Sequence, residues 1–100
     1  MKNKFTFKKE QKETGLRSVD NPYPNTTIKH NRKRVGTIYA PNWTTKDNKW
    51  TIGLMADKGD GTWEWAFIKF RFDSEVKARE FLVSKAAVIL GNLKLFYLDD

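Results

Sequence analysis

The stretch from Trp63 to Leu90 changes its apolar period partway along, and that change sets the terms for the whole chain. From Trp63 to Phe72 the side chains alternate. Ala66, Ile68, Phe70 and Phe72 fall on one face, and Trp63, Trp65, Phe67, Lys69 and Arg71 on the other. Beyond it Ala78, Phe81, Leu82, Ala86, Ile89 and Leu90 recur at helical spacing. A strand running straight into an amphipathic helix needs a sheet to join, with one face for the helix to cover. The odd face of the strand, three aromatics and then two cations, has two readings. It is either a second buried layer or a surface that binds.

The preceding residues supply the sheet. Thr26–Pro41 reads as a hairpin turning at Asn31-Arg32, because Asn tolerates the positive φ of a two-residue turn. That placement pairs His30 with Lys33, Lys29 with Arg34 and Ile28 with Val35. It gathers Lys29, His30, Arg32, Lys33 and Arg34 at one tip, the densest positive cluster in the chain. A second hairpin runs from Trp50–Asp57 to Thr62–Phe72 through Lys58-Gly59-Asp60-Gly61, where two glycines supply unusual backbone angles. Trp50, Ile52, Leu54 and Ala56 share a face opposite Thr51, Gly53, Met55 and Asp57. Gly53 at a strand centre marks a bulge or the close approach of another group, and leaves the odd face open to a flat base.

Asp73 or Ser74 caps a helix over 74–90, with Glu75 in its first turn and Gly91-Asn92 as its stop. Leu93–Leu98 reads as a last strand. The expected fold is therefore α+β: an antiparallel sheet of about four to five strands, two hairpins plus a C-terminal strand, covered on one face by a single helix. Residues 1–25 read as a basic arm, in which Phe5 and Phe7 alternate with polar neighbours and add a short strand to an edge. Through Phe5, Phe7 or Leu16 that arm is also a candidate cover for the odd face. Residues 26–100 form the domain.

Charge narrows the function more than motifs do. Residues 1–49 hold twelve Lys or Arg and four acids, whereas residues 50–100 hold seven and eight. The net +7 thus belongs to the N-terminal half, and such a field attracts nucleic acid or an acidic protein surface. With no cysteine and a single histidine, disulfides and His/Cys metal clusters are excluded. Asp57, Asp60 and Glu64 lie close together but lack the spacing of a calcium loop. No phosphate-binding glycine loop and no catalytic constellation stands out, so neither an enzyme nor a cofactor is expected. No apolar run approaches the roughly 18–20 residues that span a bilayer. The N-terminus lacks a secretory apolar region, and a cytoplasmic location is expected.

Trp50-x-Ile52 in one strand, with Phe72-Asp73-Ser74-Glu75-x-x-Ala78-x-x-Phe81 opening the helix, gives a plan of three strands and a helix over residues 33–90. It resembles AP2-type and integrase arm-type DNA-binding domains. That resemblance implies a sheet face laid into the major groove, with Lys69 and Arg71 at DNA. The family's sheet face is rich in arginine, whereas here it carries Gly53, Met55, Trp63 and Trp65. A short, basic, aromatic-rich chain without cysteine is also similar in character to small phage accessory proteins.

Two functions follow from these features. The first is a non-catalytic nucleic-acid-binding protein. The hairpin residues Lys29, His30, Arg32, Lys33 and Arg34 and the N-terminal arm, with Lys2, Lys4, Lys8, Lys9 and Lys12, grip phosphates, and Trp63, Trp65 and Phe67, with Lys69 and Arg71 beyond them, contact bases. The second is an inhibitor or adaptor that docks a basic surface on an acidic host protein, in which the 93–98 strand, lying at an edge, adds to a partner's sheet.

Overall fold

Asn31 and Arg32 both adopt positive φ, 55° and 68°, and these two residues reverse the chain in the hairpin that seeds the sheet. The computed structural model describes residues 4–9, 24–41 and 48–99. Five strands, β1 (Phe5–Lys9), β2 (Thr26–His30), β3 (Lys33–Tyr39), β4 (Thr51–Asp57) and β5 (Trp63–Phe67), lie in the order β1-β2-β3-β4-β5. All neighbours are antiparallel. Two short helices, α1 (Glu75–Ser84) and α2 (Ala86–Asn92), follow. The α+β class and the antiparallel sheet expected from the sequence are both present, and the strand carrying Phe5 and Phe7 forms an edge beside β2. The rest of the basic arm, including Leu16, lies outside the described residues.

Strict alternation decides what is buried. Ile28, Ile38, Ile52 and Leu54 project from the middle strands to one side and pack with Phe5, Ala78, Leu82, Ala86 and Leu95. Each fully buried Ile or Leu contributes about 1.5–3 kcal/mol. Ala78, Leu82 and Ala86 follow one another at i+4, a ridge of small, large and small side chains that lets the helices sit low on the sheet. The near end of α1 is tied to the β1–β2 edge by polar contacts. Thr26 Oγ1 donates to Glu75 Oε2. Arg79 Nε lies 2.8 Å from Glu75 Oε1, and its guanidinium sits 5.1 Å from the centroid of the Phe7 ring.

Three expectations here need correction. His30 pairs with Lys33 and Lys29 with Arg34 as expected, but Ile28 pairs with Gly36, because the β2–β3 register shifts between Ile28 and Lys29 and leaves Val35 as a bulge. The expected continuous helix over 74–90 is broken at Lys85 (φ −107°, ψ 12°). At that break Ser84 Oγ donates to the Phe81 carbonyl (3.1 Å), which also accepts from the Lys85 amide (2.9 Å). Of the two expected caps Ser74 is the one used, accepting from the Lys77 amide, while Asp73 pairs with Lys49, whose hydrogen bond and charge hold the carboxyl below its usual range. Gly91 lies within α2, and Leu93 in extended conformation ends the helix.

The C-terminal strand expected over 93–98 is instead a segment with two separate bridges. β3 and β4 pair from Gly36↔Leu54 to Tyr39↔Thr51, and past Gly36 their ends bond to this segment instead. Phe96 donates to Met55 (2.8 Å) and Asp57 to Lys94 (2.9 Å), while Arg34 and Leu98 exchange both bonds. Likewise β5 stops at Phe67 instead of Phe72. Ile68 still donates to Ile52 (2.9 Å), and Phe72 pairs with Trp50, so residues 69–71 bulge out of the ladder.

The closest backbone approach on the buried side is at Gly36, where a Cβ would lie 2.4 Å from the Gly53 carbonyl oxygen and 2.9 Å from Leu54 Cδ2. Backbone does not give way as a side chain does, so Gly36→Ala is expected to cost about 2–3 kcal/mol. Gly91→Ala meets nothing within 4 Å and should leave stability unchanged or raise it by up to about 1 kcal/mol. Urea midpoints of the two variants against the parent measure both.

Candidate nucleic-acid interface

On the side of the sheet away from the helices, the odd residues of β5 point the way their alternation dictates. Trp63 pairs with Asp57, Trp65 with Met55 and Phe67 with Gly53. Tyr39 from β3 and Phe96 from the C-terminal segment join them. Trp65 and Phe67 lie nearly parallel, with centroids 5.9 Å apart at 29°. Tyr39 meets Trp65 edge-on at 5.8 Å, Trp63 meets Trp65 edge-on at 4.9 Å, and Phe96 lies 6.4 Å from Trp63.

Gly53 is the floor of this group. A Cβ there would stand 3.0 Å from Phe67 Cε1, 3.1 Å from Trp65 Cε3 and 3.2 Å from Tyr39 Cε2. The missing side chain therefore makes room for the protein's own rings, which overturns the expectation that Gly53 leaves this face open to a flat base. The rings are not fully sealed, however. Phe67 is 59% exposed and Trp63 and Trp65 are half-buried, whereas Met55 beneath them is buried. Phe5 and Phe7 do not cover the rings, since both pack in the core on the opposite side.

The cross-strand register carries this face from aromatic to cationic. Lys8↔Thr27, Thr27↔Thr37, Thr37↔Gly53 and Gly53↔Phe67 form one row from edge to edge, and directly opposed residues share a face. Lys29 belongs to the same face through its pairing with Thr6. Arg34 joins it as well, donating from Nη2 to Thr37 Oγ1 (2.7 Å).

The cluster expected at the hairpin tip is dispersed. His30 is buried between Phe5 and Tyr97, with ring centroids 5.8 and 5.7 Å away, and its Nδ1 and the Tyr97 hydroxyl share a 2.7 Å hydrogen bond. Partial burial pushes the Tyr97 phenol up, which keeps its proton available for that bond. Lys33 forms an ion pair with Asp99 (3.3 Å), Arg34 lies against Thr37, and Arg32 is exposed. Lys69 and Arg71 are exposed in the bulge after β5, so strand alternation no longer aligns them with the rings. Asp57 and Asp60 serve the second turn. Asp57 Oδ1 accepts from Gly59 (2.7 Å), and Asp60 Oδ1 accepts from Thr62 (3.0 Å), whose hydroxyl and amide hold the Asp60 carboxyl below its usual range.

The sequence counts Lys8 among the lysines of the basic arm without placing it on this face, and it does not single out Tyr39 or Phe96. Tyr39 and Thr37 were detectable, because they alternate against Ile38; in 93–98, where five of six residues are apolar, only the shared parity with Lys94 marks the face of Phe96. Comparison with protein-family models, with curated proteins and with solved structures finds no match to this chain. The likeness to AP2-type and integrase arm-type domains therefore rests on element order alone.

Gly53→Val keeps strand propensity while placing two methyl groups under the three rings. The expected result is a red-shifted tryptophan emission and a loss of about 1–3 kcal/mol in stability, with the far-ultraviolet sheet signal retained. An unchanged emission spectrum would mean that the rings do not rest on this glycine.

Proposed function

We propose that this protein binds single-stranded nucleic acid without catalysis, through the sheet face opposite the helices. The observation that carries the reading is the row from Lys8 through Thr27, Thr37 and Gly53 to Phe67, which puts a cation at one edge and an exposed ring at the other on one surface, with Lys29 on the same face through its pairing with Thr6. Phosphates are held at Lys8, Lys29 and the hairpin residue Arg32, where released counterions favour binding. Bases stack on Phe67 and along the Trp65 edge, and stacking of this kind is worth about 1–3 kcal/mol per base. Unpaired strands are favoured over duplex because stacked base pairs hide the faces that the rings need. DNA and RNA are equally compatible with such contacts. Lys69 and Arg71, exposed in the bulge after β5, add positive charge near the aromatic edge.

A second reading is supported by a different surface. Val76, Val83 and Val88 are each more than half exposed along α1 and α2, as is Phe70 beside Phe81. Apolar side chains displayed in this way suit a protein partner, as an inhibitor or adaptor requires.

Affinity for a short single strand, measured by tryptophan quenching at several salt concentrations, separates the two. The Lys8→Ala, Lys29→Ala, Arg32→Ala triple variant should lower the log–log salt slope by about 2, from roughly 0.7 per phosphate contact. Phe67→Ala should weaken binding by about 1–3 kcal/mol at an unchanged slope. Absence of binding at low salt by the folded parent would remove the nucleic-acid reading and leave the protein-partner one.

A further inference from the structure

The two edges of the sheet differ in a way that the binding face does not explain. At the β1 edge Lys4, Thr6, Lys8 and Lys9 are all exposed, and lysines on an edge strand discourage pairing with another chain. β5 carries a single charge, Glu64, among Trp63, Trp65, Ala66 and Phe67.

The register fixes which backbone groups of β5 are already used. Lys58 donates to Thr62 (3.0 Å) and Ile68 donates to Ile52 (2.9 Å), so the hydrogen-bonded pairs with β4 are Ala56 with Glu64 and Leu54 with Ala66. Trp63, Trp65 and Phe67 sit at the intervening positions. Their amides and carbonyls point away from β4, and among the described residues no strand lies beyond them. This is an open row of alternating donors and acceptors on an aromatic strand with high β-propensity.

We propose that the β5 edge is a self-association surface, at which β5 of a second copy pairs antiparallel about a two-fold axis at Trp65. The sequence of the strand is self-complementary in that register. Trp65 falls opposite its own equivalent, Trp63 opposite Phe67 of the second copy, and Glu64 opposite Ala66. Aromatic residues therefore meet aromatic residues across the join, and the acidic residue meets a methyl group rather than its own copy. Every outward amide and carbonyl of the three residues gains a partner. The charge distribution agrees. β1 and the 29–34 hairpin lie toward the other side of the sheet, so the most basic parts of the two copies stay apart. The result is a two-fold dimer with one continuous sheet, and it stands whether or not nucleic acid binds.

Sedimentation equilibrium of the full chain without nucleic acid tests this directly. The parent should pass reversibly between one and two chain masses as concentration rises. Phe67→Lys alters an exposed side chain and appears twice in the pair. It should weaken dimerisation at least about tenfold while the thermal transition of the monomer is retained. Since the chain has no cysteine, Trp65→Cys should crosslink to its own copy on mild oxidation, and Phe67→Cys should not, because only position 65 faces itself. A parent that stays monomeric at every concentration overturns the proposal. So does a dimer insensitive to Phe67→Lys, or one abolished by Val83→Lys on α1.

Discussion

Close approach at two glycines on neighbouring strands is the constraint on which this sheet depends. Gly36 on β3 and Gly53 on β4 belong to adjacent rows and face opposite sides of the layer. At Gly36 the absent Cβ lets Leu54 and the neighbouring backbone close up on the buried side, under the helices. At Gly53 the same absence lets Tyr39, Trp65 and Phe67 collapse onto the outer side. A bulky residue at the first site opens the core, and at the second it lifts the rings. The protein thus has a packed layer on each side of β4, one apolar and covered by α1 and α2, the other aromatic and only half covered.

The β1-to-β5 row turns that asymmetry into a surface with a direction. Threonines at 27 and 37 separate the lysine end from the aromatic end, and Arg34 bridges toward them through Thr37. Concentrating positive charge before residue 50 therefore has a spatial meaning. Charge-rich β1 and β2 lie on one side of the sheet, and aromatic β5 lies on the other. The C-terminal segment completes the arrangement. It occupies the place where β3 and β4 part, and through Tyr97 it holds His30 inside instead of at the hairpin tip.

Much of this was legible before any coordinates. Period-two alternation located β4 and the beginning of β5, and the Asn31-Arg32 turn fixed the register next to it. The helical spacing of Ala78, Leu82 and Ala86 identified the face that packs. Features set by tertiary contact were not legible. The bulge at Val35 and the break at Lys85 fall inside stretches whose apolar period runs on without interruption. The termination of β5 at Phe67 reflects the return of Phe72 to Trp50. The burial of His30 depends on Tyr97, sixty-seven residues away in sequence, and no local pattern reports such a contact. Ring collapse onto Gly53 escaped for a related reason: a glycine in a strand signals close approach without saying what approaches.

In the proposed function, rings and cations on one face of the sheet act together as a binding surface. Amide and indole chemical-shift mapping during titration with a short single strand tests it most directly. Perturbations are expected at the Trp65 and Trp63 indoles, at Phe67 and Tyr39, and along Lys8, Thr27 and Lys29, with α1 and α2 unaffected. Perturbations confined to the helices, or to Arg32 and Lys33 with the rings untouched, would contradict it.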